Sequence, residues 1–166
     1  MSIEQINTIM AKLNMMHKSL VKLADHKTEL ITNGDMDGIK NMINDEQSHI
    51  SAIAQLESQR QQAVLSYLKG RNVAPTAQPT IEQLIALVPT AQEKTQLRQT
   101  SEQLLQTVEQ LQQANELNQK LLFNSLQVVN MTIDMMRPQQ DNFNYGEAQG
   151  KRNPAATTAG RFNSQA

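Results

Sequence analysis

Apolar residues recur in alternating steps of three and four through most of the chain. Between about residues 2 and 32 they are Ile6, Ile9, Leu13, Met16, Leu20, Leu23 and Leu30. This is a heptad seam with Lys27 at its one missing position, as in a helix packed along a partner helix. Asn33-Gly34-Asp35 then supplies a helix stop and an N-cap for the next helix. Residues 36–69 continue the rhythm with Met36, Ile39, Ile43, Ile50, Ile53, Val64 and Tyr67. The same register puts Glu46, Glu57 and Arg60 on that seam. Gly38 in the first turn costs some helix stability, and Gly70 is a natural stop.

Residues 70–80 read as a linker. Thr80-Ile81-Glu82-Gln83 fits a capping box and opens a short apolar helix over 81–88, ended by Pro89. Thr90-Ala91-Gln92-Glu93 fits a second box and opens a third long helix over 91–137, stopped by Pro138. Its seam reads Leu97, Ser101, Leu104, Val108, Leu111, Asn115, Asn118, Leu122, Leu126, Val129, Ile133 and Met136. Two consecutive four-residue steps around Leu122 mark a stutter, where a supercoil relaxes.

The pattern therefore predicts an all-α fold. Three long helices form an antiparallel coiled-coil-like bundle over residues 1–137, with the short helix in the second connection. Residues 138–166 have no period and are rich in Gln, Asn, Ala and Thr, the composition of a flexible tail. The third long helix outruns its partners, and its last dozen residues should overhang by about 20 Å. That end is apolar on more than one face, which a lone helix in water does not tolerate. A partner protein, a second copy in a homodimer, or the tail would cover it; sliding into the core is the alternative.

Composition narrows the chemistry. Net charge is −1 and only 3% of residues are aromatic, while Gln alone is roughly one residue in eight. Without a basic stripe, no nucleic-acid partner is expected. No apolar run reaches about 18 residues, so no membrane insertion is expected. The N-terminus lacks a secretory pattern, and a cytoplasmic location is expected. With no Cys, thiolate metal sites and cysteine nucleophiles drop out. His17, His26 and His49 make no metal-ligand pair. Neither a phosphate-binding loop nor a nucleophile turn is present. An enzyme is not expected, nor a cofactor. Glu57 and Arg60 can pair along one helix, and Asn115 with Asn118 suits register control.

Several stretches together resemble the FlgN family of flagellar export chaperones, in its Bacillus-type form. One is Ile39…Glu46…Ile50…Ile53…Leu56-Glu57…Arg60. A second is Asn115-Glu-Leu-Asn118-Gln-Lys-Leu121-Leu122. The most discriminating is Met136-Arg-Pro-Gln-Gln-Asp-Asn-Phe143-Asn-Tyr145-Gly146, and the terminal Arg161-Phe162-Asn-Ser-Gln-Ala is similar as well. The resemblance implies a cytoplasmic chaperone that binds the first and third hook-associated proteins through their C-terminal helical ends. It implies delivery of these proteins to the flagellar type III export gate, with Tyr145 matching a tyrosine used for gate docking. The expected partner-binding residues are Leu122, Leu126, Val129, Ile133 and Met136, joined by Phe143 and Tyr145. A reading from another class is a self-assembling structural coiled coil without cargo.

Overall fold

The computed structural model describes residues 2–73 and 80–137. Within them lie four helices: α1 (Ile3–Asn33), α2 (Met36–Lys69), α3 (Ile81–Leu87) and α4 (Ala91–Met136). Each starts on a side chain able to accept from orphan backbone N–H groups. Ser2 and Gln5 form a full capping box on α1, and Thr80 with Gln83 does the same on α3. Asp35 caps α2 by accepting from the Gly38 N–H at 2.8 Å. Thr90 accepts from the Glu93 N–H, but its hydroxyl donates to the Glu93 carboxylate, so only half of that box forms. Gly34 ends α1 at φ 69°, a left-handed turn that a residue with a Cβ adopts only at a cost.

α1 is the central helix. Both α2 and α4 pack along it, while their backbones barely approach each other. Ser19 bonds to His49 and Lys27 to Glu46, so α1 and α2 run antiparallel. Asn14 meets Thr107 and Thr28 meets Asn118, so α4 runs parallel to α1. The antiparallel bundle expected from the sequence thus describes α1 with α2; the main partner of α4 is α1, three elements back and parallel to it. The long connection through α3 permits this return.

The core concentrates at one end. Ile3, Ile6 and Met10 of α1 pack with Ala63, Val64, Tyr67 and Leu68 of α2, Leu84 of α3 and Leu97 of α4. Arg71 lies over the Tyr67 ring, 5.0 Å from its centroid, and donates to the Leu87 carbonyl at 2.9 Å, closing this end.

Away from that end the seams become polar, and two assignments from the apolar pattern need correction. On α2, Met36, Ile43 and Ile50 are exposed rather than on the seam. The line facing α1 is Ile39, Met42, Glu46, His49, Ile53, Leu56, Arg60, Ala63 and Tyr67, an unbroken three-four rhythm. Its polar members are partnered. Lys27 and Glu46, about one-fifth exposed, bond at 2.6 Å, and His49 meets the Ser19 hydroxyl at 2.8 Å. On α4, Asn115 is exposed and Ala114 takes its place, while Thr107 is buried more deeply than Val108. Glu57 pairs with Arg60 along its own helix at 2.6 and 2.8 Å.

Candidate functional site

Two polar contacts fix how far α4 slides along α1. The Thr107 hydroxyl is 2.7 Å from Asn14 Oδ1, buried between the helices. One step along, the Asn118 amide donates to the Ala24 carbonyl at 2.8 Å, and Thr28 donates to Asn118 Oδ1 at 2.6 Å. In this register the end of α1 lies level with about residue 126. Roughly the last ten residues of α4, about 15 Å, run on past the α1–α2 turn.

Leu121 is the last half-buried residue of α4, and every residue from 122 to 137 is exposed. Leu122, Leu126, Val129, Ile133 and Met136 lie in this stretch on one face. Phe123, Val128, Met131 and Met135 are exposed with them. Gln127, Asn130 and Asp134 occupy the polar side, and Arg137 approaches Asp134 at 3.6 Å. Phe143 and Tyr145 lie outside the described residues. A continuous helix with apolar side chains in water and its polar backbone already satisfied can bury another amphipathic helix along its apolar face.

The remaining surface offers little else. Among the described residues no group of three His, Asp or Glu side chains could hold a metal ion. None of the helices is long and apolar enough to cross a membrane. A notch between α3 and α4 is lined by the apolar Ile81, Ile85 and Leu105 and the charged Glu82, Arg98 and Glu102. Glu57 is the one carboxylate with a clear shift among the described residues. The Arg60 guanidinium bonded to it holds its carboxyl below the usual range, against the opposing effect of burial. The same bond raises Arg60. This pair steadies α2 and lies far along the chain from the α4 extension.

The polar contacts that set the extension were only partly visible in sequence. Asn118 stood out on an apolar seam, but its partners did not. A second line on α1, Asn7, Asn14, Val21 and Thr28 at seven-residue spacing, was the available signal. It faces α4, and its polarity hid it from a search for apolar repeats.

The family model described as FlgN protein matches residues 1–153. A curated relative, printed as uncharacterized protein YvyG of Bacillus subtilis (strain 168), is 30% identical over 166 residues and covers 100% of both chains. No solved structure matches the chain. A match spanning all four helices and the α4 extension, with a relative of equal extent, places this chain in the FlgN family of flagellar export chaperones.

Proposed function

We propose that this chain binds hook-associated proteins, the first and third, in the cytoplasm, keeps them soluble and delivers them to the flagellar export gate. The observation that carries this reading is the exposure of every residue from 122 to 137 on a helix rich in Leu, Val, Ile and Met. Cargo would lay the apolar face of a C-terminal helix along Leu122, Leu126, Val129, Ile133 and Met136. Phe143 and Tyr145 would add aromatic contacts from the tail, and Tyr145 would serve gate docking. Methionine suits such a surface because its unbranched side chain adapts to different neighbours.

The energetics suit reversible capture. Burying five such side chains at roughly 1.5–3 kcal/mol each gives ample gross stabilisation. Lost association entropy and ordering of side chains offset much of it. The net is a complex tight enough to hold and weak enough to release. Isothermal titration of the full chain with the first and the third hook-associated protein tests the reading. A saturable complex with either is the expected result; no heat and no co-elution with both would refute it.

A self-assembling coiled coil without cargo is the second reading, favoured by the same exposed stretch. An ordered polymer of the protein alone would support it.

A further inference from the structure

Apart from Phe123, which lies on the polar side, the exposed apolar surface of α4 over residues 117–136 divides into two heptad facets. The first is Leu122, Leu126, Val129, Ile133 and Met136. The second is Leu117, Leu121, Val128, Met131 and Met135, with Asn124 at the one position that interrupts it. At about 100° per residue the facets run roughly 140° apart around the helix. All these apolar side chains are exposed except the half-buried Leu121. A single docked helix covers one such seam, because helices meet along one stripe of a and d positions. Capture on the first facet alone leaves Val128, Met131 and Met135 in water, with Met135 81% exposed.

The strip between the facets is suited to burial. Asn118, Ser125 and Thr132 lie along it seven residues apart, and Asn118 is the buried contact with α1. The α1–α4 seam therefore runs straight into this strip where α1 ends. The Ser125 hydroxyl donates to the Leu121 carbonyl at 2.9 Å, and Thr132 donates to Val128 at 2.9 Å. Both have used their hydrogen inside α4, so covering them strands no donor.

We infer that the extension is clasped between two amphipathic helical segments of one partner protein, one on each facet. The inference rests on reading the extension as the cargo site. A second copy of this chain does not satisfy the same surface. A two-fold pair covers one facet on both copies and leaves the other bare. Using both facets between copies joins each molecule to two others, giving a closed ring or an open polymer rather than a discrete pair. Neither facet carries a charged residue, so the facing seams of the partner are apolar and uncharged. Asn124 calls for a polar residue opposite it in the second seam.

The test titrates the full chain with the first hook-associated protein from the same organism. Leu126→Glu/Ile133→Glu alters the first facet, Val128→Glu/Met135→Glu the second, and Gln127→Glu the polar side. These side chains are exposed, so helicity and Tm should hold. Each facet pair is expected to weaken binding at least about tenfold, the control leaving it unchanged and the complex being one to one. Wild-type binding by the second-facet variant would overturn the clasp and leave capture of a single helix standing. Indifference to both pairs, or no complex with the unaltered chain, would remove the cargo site together with the clasp. A complex with two copies of this chain, reduced to one by the second-facet change, would put a second copy there and also overturn it.

Discussion

Asn118 of α4 donates its side-chain amide to the backbone carbonyl of Ala24 on α1, 2.8 Å away, and accepts from Thr28. A buried amide at this point fixes where α4 stops overlapping α1 and begins to extend. Asn118→Ala removes both bonds and leaves Thr28 without its partner across the seam, so a loss of about 1–3 kcal/mol is expected. Asn118→Leu should retain most stability, since it fills the space with an apolar group, but should weaken the choice of register. Chemical denaturation gives the first effect. Cross-linking between α1 and α4 cysteine pairs, read for slipped products, gives the second.

Lys27 and Glu46 form the corresponding anchor between α1 and α2. Each is about one-fifth exposed, so removing one partner strands the other charge partly out of water. Lys27→Met and Glu46→Gln should each destabilise by about 1–3 kcal/mol. The double variant Lys27→Leu/Glu46→Leu should recover most of that loss. Equal losses in the singles with no recovery in the double would contradict a paired role.

The register of α2 is tested by neighbouring positions. Met42 is 5% exposed and Ile43 is 45% exposed. Met42→Ala should cost about 2–5 kcal/mol, as loss of a buried side chain does. Ile43→Lys should fall within about 0.5 kcal/mol of the unaltered protein. The reverse order in urea melts would restore the seam read from the apolar pattern.

Glu57 contributes a pH dependence of known sign. Its bond to Arg60 lowers its pKa in the folded protein below the unfolded value. The resulting stabilisation is present above the unfolded pKa and is lost as pH falls through the folded one. Part of this pair is exposed, which keeps the effect modest. Glu57→Gln should flatten the acid limb of stability as pH falls below the ordinary glutamate range, leaving the neutral region nearly level. An unchanged acid limb would contradict the pairing.

The sequence revealed helices better than their partners. Caps at Asp35 and Thr80 and the Gly34 stop were readable because each is a local bond between residues three or four apart. The seam of α2 was misread at Met36, Ile43 and Ile50 because an apolar repeat need not be the buried one. The true line carries Glu46 and His49, whose burial depends on Lys27 and Ser19 thirty or fewer residues away. Asn14 and Thr107 escaped for the same reason, since the Asn14 carbonyl oxygen meets the Thr107 hydroxyl across 93 residues. The extension was legible because helix lengths follow from local signals, and excess length needs no knowledge of contacts. Which register fixed it was not legible, since Asn118 shows its use only against Ala24 and Thr28.

The central claim is that cargo binds on the part of α4 beyond the bundle. Among the described residues, ending the chain at residue 120 removes the exposed stretch and one half-buried side chain, Leu121, while keeping Asn118 and the core cluster. The direct measurement is light scattering after size exclusion, on the full chain and on residues 1–120, each mixed with the first hook-associated protein. The account predicts a discrete complex with the full chain and none with a still-helical 1–120 chain. A complex of equal mass and affinity with residues 1–120 would contradict it.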